Sequence, residues 1–204
     1  MTVLLVATRN RGKLPELRLL LGPLGMEIRF PDELDLSELP EEHGLERFET
    51  FVENARAKAD YFHRRSGLAT VADDSGVEVD ALGGAPGVHS KRFAGVEGPD
   101  HLVAAANNAE MLRRLADVPD VERTARYRGV LVLVRTGIPE LVVDGVTEGR
   151  IAREARGDGG FGYDPLFISD ELGLSFGEAT AEEKARVSHR ARAARALMER
   201  VGPQ

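Results

Sequence analysis

The chain has 204 residues, 42% of them hydrophobic and 30% charged, with a formal net charge of -7 and no cysteine. That length admits one large domain or two small lobes around a real core, and the missing cysteine excludes disulfides, thiolate metal sites and cysteine nucleophiles. The acidic balance, without any Lys/Arg run, argues against a nucleic acid polymer as partner.

Thr2–Thr8 reads as a buried strand, a short and partly β-branched apolar run that ends in a polar loop. The run Val3-Leu4-Leu5-Val6-Ala7 is too short for a signal-peptide core, and Arg9 and Arg11 follow it rather than precede it. No later apolar run approaches membrane-spanning length, so the expected setting is the cytoplasm, with no membrane partner. Gly12–Leu21 reads as a helix that tolerates Pro15 only in its first turn. Strand, polar loop and helix in that order open an α/β fold.

Asp32–Gly44 is acidic, rich in Pro and Leu and without period, and reads as loop. Phe48, Phe51, Val52, Ala55, Ala59 and Phe62 follow helical spacing and predict a long helix with one apolar stripe. A strand at Leu68–Ala72 comes next, then a loop-rich excursion at Ala81–Gly98 and a helix at Asp100–Leu115. Thr124–Thr136 and Glu140–Val146 predict a hairpin that turns at Gly137-Ile138-Pro139. A Gly-rich loop at Gly157–Pro165 leads into a short strand at Leu166–Ile168. The rest reads as helical, with Thr180 and Glu183 placed as a capping box and an apolar stripe of Ala194, Leu197, Met198 and Val201. Strand–helix alternation early and a hairpin later predict a mixed sheet.

Five segments carry chemistry. Thr8-Arg9-Asn10-Arg11-Gly12-Lys13 joins the first strand to the first helix, where free N–H groups and the positive dipole end favour phosphate. Thr8 and Asn10 add donors, Gly12 permits close approach and Lys13 brings a mobile charge; a plain strand–helix loop would look the same. The spacing is not that of a Walker A loop. On the long helix Asn54 and Lys58 lie four apart and share a face. Lys58 borders the apolar stripe, from which its ammonium can snorkel into a cleft.

Asp73 and Asp74 follow the apolar run Leu68-Ala69-Thr70-Val71. Strand neighbours point to opposite faces, so the two cannot share one exposed face, and a carboxylate near a core needs a cation, a metal or donors. Ala72-Asp73-Asp74-Ser75-Gly76 is also good turn chemistry, and both readings stand. In Gly157–Pro165, Phe161 offers a stacking surface for a flat base and Asp164 a directional acceptor, against the alternative of a glycine turn with buried aromatic anchors. Ser188 is a good N-cap for the last helix, with His189 and Arg190 in its first turn and Lys184 four residues before Ser188.

Taken together, these segments closely resemble the inosine/xanthosine triphosphate pyrophosphatase family. The matching blocks run in order along nearly the whole chain. They are Thr8-x-Asn10-x-Gly12-Lys13, Glu53-Asn54-Ala55-x-x-Lys58-Ala59, Ala72-Asp73-Asp74-Ser75-Gly76, Leu82-Gly83-Gly84-Ala85-Pro86-Gly87, Gly159-Gly160-Phe161-Gly162-Tyr163-Asp164-Pro165, Glu182-Glu183-Lys184 and Ser188-His189-Arg190. The resemblance implies an elongated, two-lobed α/β fold, a single pyrophosphatase domain over residues 1–204, with a central mixed sheet and the site in the cleft between lobes. It also implies Mg²⁺-dependent hydrolysis of ITP, dITP and XTP to the monophosphate plus pyrophosphate, in a homodimer.

Carried over by the same resemblance, Asp74 is general base and metal ligand, with Asp73 and Lys13 beside it as catalytic residues. Thr8, Arg9, Asn10, Arg11, Gly12, Lys13 and Lys58 hold phosphates and Ser75 contacts substrate. Phe161, Gly162, Tyr163, Asp164, Lys184, His189 and Arg190 hold the base. Hypoxanthine and xanthine carry an oxygen at position 6 where adenine carries an amine. Donors placed there can discriminate by about 10⁴-fold, because a wrong base leaves buried polar groups unpaired. The family's second metal carboxylate lies in an acidic patch before a Gly and the Glu-Asn-Ala helix. Pro40-Glu41-Glu42-His43-Gly44 fits, although the spacer Leu45–Phe51 is longer than usual. Glu41 is the expected ligand, with Glu42 and Glu46 as alternatives.

Overall fold

A computed structural model describes residues 2–202. The first apolar run forms β1 (Val3–Val6), with Leu4, Leu5 and Val6 fully buried. Helix α1 (Leu14–Leu21) begins one residue after Lys13 and carries Pro15 in its first turn, where a missing N–H costs nothing. It buries Leu17, Leu20 and Leu21. The periodicity argument passes over β2 (Glu27–Arg29), a three-residue strand whose one buried side chain is Ile28. So short a strand shows no alternation. Its pairing partner identifies it, since it runs parallel to β1 with Leu4 opposite Ile28.

Short 3₁₀ turns occupy Pro31–Leu34 and Pro40–Gly44 within the stretch expected to be loop. Helix α2 (Phe51–Ser66) starts later than Phe48, because Thr50 caps it. The Thr50 hydroxyl accepts the Glu53 N–H at 3.2 Å and donates to the Glu53 carboxylate at 2.7 Å. The helix stops at Gly67, whose φ of 71° suits a residue without Cβ. Phe51, Ala55, Ala59 and Phe62 are buried on one face. At about 2–3 kcal/mol for each buried Phe, this stripe holds the helix in place.

The largest departure is β3 (Ala69–Val79), which does not stop at Ala72. It runs straight through Asp73, Asp74, Ser75 and Gly76, so the turn reading of this segment is wrong. Gly76 is needed for packing: a Cβ there would collide with the Gly87 carbonyl oxygen and the Ser90 hydroxyl. After 3₁₀ turns at Asp80–Leu82 and Gly87–Arg92 comes α3 (Asp100–Arg114). The hairpin is β4 (Thr124–Arg135) and β5 (Ile138–Ile151), joined through Thr136 and Gly137. The positive φ of Gly137, 72°, makes the tight reversal there. Pro139 is therefore in the strand rather than the turn. It lies away from the β5–β6 pairing, which is confined to Gly149–Ile151, so its missing N–H breaks none of those bonds.

β6 (Phe167–Ser169) pairs antiparallel with β5. Helix α4 (Ala181–Val187) carries the expected capping box, with Thr180 accepting from the Glu183 N–H and Glu183 from the Thr180 N–H. The C-terminal helical stretch is broken at Ser188, whose extended ψ of 152° ends α4, and α5 (His189–Val201) follows at once. The sheet order is β2-β1-β3-β4-β5-β6, with β1 parallel to β2 and β3 and with β6 antiparallel to β5, so the sheet is mixed. Among the described residues no helix is long and apolar enough to cross a membrane.

The chain divides into two compact units. The first comprises residues up to Asp74, Gly129–Gly145 and the residues from Arg190 onward; the second comprises Ser75–Arg128 and Val146–His189. Buried aliphatics of the first include Leu4, Leu5, Leu17, Leu21, Leu131 and Leu197. The second has one core cluster in which Val77, Met111, Leu115, Tyr127, Phe167 and Phe176 pack together.

Candidate active site

In the first unit the cluster is built around β3. Asp73 is 2% exposed and Asp74 7%, burial that no isolated carboxylate tolerates without compensation. Compensation comes from three directions. Lys13, at the start of α1, donates to Asp73 Oδ2 at 2.9 Å, and Arg190, in the first turn of α5, reaches the same oxygen through Nε at 3.3 Å. Lys58, on α2, donates to the Asp73 carbonyl at 2.5 Å and to Glu46 Oε1 at 2.6 Å, and lies 3.6 Å from Asp74 Oδ1. Asn54, one helical turn before Lys58, donates to Asp74 Oδ2 at 3.1 Å. The shared face expected of Asn54 and Lys58 is thus the face that meets the aspartates.

These contacts separate the two aspartates electrostatically. Burial alone would raise Asp73, but Lys13, Arg190 and Lys58 outweigh it and hold the carboxyl well below the usual range. For Asp74 burial dominates. Lys58 opposes it, Glu46 reinforces it, and the carboxyl ends above its ordinary value. Glu46 is pulled down to about 2, chiefly by the Lys58 charge. Burial would lower Lys58, but Glu46, Asp74 and Asp73 together keep it raised and charged. Asp73 is therefore a fixed anion locked among cations, whereas Asp74 is the more basic of the pair.

The loop before α1 is ordered by its own side chains. The Thr8 hydroxyl accepts the Asn10 N–H at 3.2 Å, and Asn10 Oδ1 accepts the Gly12 N–H at 3.0 Å. Thr8 and Lys13 are buried, while Arg11 and Gly12 are exposed. Arg9 is engaged elsewhere. It forms a two-pronged pair with Glu42 and further bonds to Asp32 and the Leu36 carbonyl, which tie the loop to the 31–44 segment. Its neighbours here are acidic.

Of the acidic residues considered for a metal, Glu41 is exposed on its 3₁₀ turn and Glu42 is held by Arg9 and Arg65. Glu46 is the one beside Lys58 and close enough to raise Asp74. The long spacer Leu45–Phe51 was the sequence signal for this, since it places Glu46 nearer the helix than the acidic patch. Among the described residues no group of three or more His, Asp or Glu side chains is arranged to hold a metal alone. A Mg²⁺ held by one or two carboxylates and completed by substrate phosphates needs no such group. The residues present fit that mode: Asp74 and Glu46 supply hard oxygen donors, and Asp73 Oδ1 is buried without a hydrogen-bond partner.

The second unit holds the other constellation. Phe161 and Gly162 are partly exposed, and Tyr163 and Asp164 are buried. Asp164 Oδ2 accepts the Phe161 N–H at 2.7 Å and the Lys184 ammonium at 2.6 Å, while Oδ1 accepts the Tyr127 hydroxyl at 3.2 Å. The acceptor expected to read a base is thus the group that folds the Phe161 turn and aims Lys184. The Lys184 ammonium lies 5.0 Å from the Phe161 ring centroid, within cation–π range. Tyr163 donates to the Ser90 carbonyl at 2.8 Å, and burial pushes its phenol up, so it anchors the loop as a neutral group. Gly162 is held through its carbonyl by Asn108 at 3.0 Å. Ser75, partly exposed, continues β3 after Asp74, and His189, 1% exposed, stacks on Tyr127. Arg190 is the one residue of the expected base set that the structure gives to the aspartates instead, through Asp73 and Glu16.

A mixed sheet carrying buried paired carboxylates among lysines has the residue types that a hydrolase acting on acid anhydrides needs. The description "Ham1 family" belongs to the family model that matches residues 4–200, and the chain belongs to that family. It is 49% identical over 201 residues to a dITP/XTP pyrophosphatase of Pseudomonas aeruginosa, covering 98% of this chain and 96% of that one. A Streptococcus thermophilus protein of the same name is 46% identical over 200 residues, which are 97% of this chain and 59% of that longer protein. Among solved structures, a HAM1 protein from Coxiella burnetii superposes with a TM-score of 0.83 at 35% identity, covering 98% of each chain.

Proposed function

We propose that this enzyme hydrolyses deaminated purine nucleoside triphosphates, ITP, dITP and XTP, to the monophosphate and pyrophosphate in a Mg²⁺-dependent reaction. The observation that carries the reading is the division of labour between Asp73 and Asp74. One carboxylate is neutralised by Lys13 and Arg190, while the other is kept basic by burial and by Glu46. A general base needs a pKa nearer the working pH than an ordinary Asp has, and Asp74 is shifted in that direction.

In this reading Asp74 accepts a proton from water as the water oxygen bonds to the α-phosphorus. The bond from that phosphorus to the bridging oxygen breaks, and pyrophosphate leaves with the electron pair. Lys13 and Lys58 meet the phosphate charge. Asp74 and Glu46 would hold Mg²⁺, which supplies charge neutralisation on the leaving pyrophosphate when bound. By the family resemblance Phe161 offers the base a stacking face and His189 helps hold it, with Lys184 a donor for its position-6 oxygen. The family resemblance extends the reading to a homodimer working in the cytoplasm.

Hydrolysis of ITP in ¹⁸O-labelled water with Mg²⁺ tests the scission. The label is expected in IMP, with unlabelled pyrophosphate. Label in pyrophosphate, or release of inorganic phosphate and IDP, contradicts it.

A further inference from the structure

The phenol of Tyr127 is the common support of the second unit's constellation, and neither the strand pattern nor the family motifs single it out. It lies on β4, 8% exposed, among residues that read only as a buried strand. Its hydroxyl donates to Asp164 Oδ1 at 3.2 Å. Its ring is stacked on the His189 imidazole, with centroids 4.7 Å apart and planes 13° from parallel. It is also nearly parallel to Phe176 at 5.9 Å, and the Phe176 ring lies 5.4 Å from the Lys184 ammonium. Asp164 in turn holds Lys184 and the Phe161 N–H. Phe161, Asp164, Lys184 and His189 therefore all take their orientation from contacts that converge on one side chain.

We infer that Tyr127 is a positioning residue for base recognition, setting through one hydrogen bond and one stack the directions of the Asp164–Lys184 pair and the His189 ring. The inference rests on the proposed function, since it assigns a purine base to that set. Two physical consequences follow. One face of the imidazole is covered by the phenol, which fixes the plane of the ring and the direction of its edge. The Asp164 carboxylate is fixed from both oxygens, so Lys184 is held to one direction instead of sampling the rotamers of a surface lysine. A donor fixed in direction discriminates an oxygen from an amine better than one that can swing away.

Tyr127→Phe keeps the ring and its stack and removes the hydroxyl that bonds Asp164. Binding of IMP and of pyrophosphate to the wild type and the variant, by titration calorimetry, separates the base from the phosphates and does not depend on turnover. IMP affinity is expected to fall about tenfold, the scale of one hydrogen bond to a charged acceptor, with pyrophosphate affinity unchanged. In kinetics, KM for ITP and XTP should rise by a similar factor while kcat holds within about twofold. In an Asp164→Asn background the same substitution should add little, because the charged acceptor is already gone. An IMP affinity that does not change, or a loss shared equally by IMP and pyrophosphate, overturns the inference. Wild-type enzyme that binds IMP but cleaves no deaminated nucleotide would overturn the proposed reaction while leaving Tyr127's role in base binding to be read from the variant.

Discussion

Asp74→Asn is expected to lower kcat for ITP by about 10³–10⁴-fold, the upper range for loss of a general base, with one metal carboxylate lost at the same position. The substitution is nearly isosteric, and the new amide can still accept from the Asn54 side chain that bonds Asp74 Oδ2 at 3.1 Å. It also removes a buried charge whose ionised form burial disfavours. The fold should survive with an unchanged or slightly higher melting temperature, so the loss is one of chemistry. KM should move much less than kcat, because Lys13 and Lys58 remain. A variant that folds and turns over ITP near the wild-type rate would remove Asp74 from the base position.

The second large effect is on stability. Lys58 is 7% exposed and bonded to Glu46 and to the Asp73 carbonyl, with Asp74 3.6 Å away. Lys58→Met keeps the apolar stem and removes the ammonium. Glu46 and Asp74 are then left facing each other with their principal cation gone. Removing one partner from a buried ionic set costs about 3–5 kcal/mol, since the remaining charge stays desolvated. At about 2–4 °C per kcal/mol for a chain of this size, the melting temperature should fall by about 6–20 °C. An exposed snorkelling lysine would give less than about 1 kcal/mol, so thermal unfolding of the two proteins distinguishes the cases.

The parts of the fold that were legible are those with a long period or a local cap. α2, α3 and the β4–β5 hairpin announce themselves by apolar spacing, and α4 by Thr180 and Glu183. What stayed hidden depends on distant partners. β2 exists because Ile28 pairs beside Leu4, and β3 continues past Ala72 because Lys13, Lys58, Asn54 and Arg190 arrive from α1, α2 and α5 to meet the aspartates. Propensity alone made Asp-Asp-Ser-Gly a turn; tertiary neutralisation made it mid-strand.

The candidate site divides in the same way. Residue types and their order pointed to Asp73, Asp74, Lys13, Lys58, Phe161 and Lys184, but not to what each touches. Arg9 belongs to Glu42 and Asp32, Arg190 to Asp73, and Asp164 to Lys184 and Tyr127. Glu46 rather than Glu41 stands beside the paired aspartates, a choice that helix spacing could not make because Glu46 lies outside α2.

Pyrophosphate release from ITP, dITP, XTP, GTP, ATP and dUTP, each with and without Mg²⁺, tests the central claim most directly. ITP, dITP and XTP should be cleaved with kcat/KM about 10²-fold or more above GTP and ATP, and chelation of Mg²⁺ should abolish turnover of all of them. Equal rates on ATP and ITP, a preference for dUTP, or full activity in the presence of a chelator would contradict it.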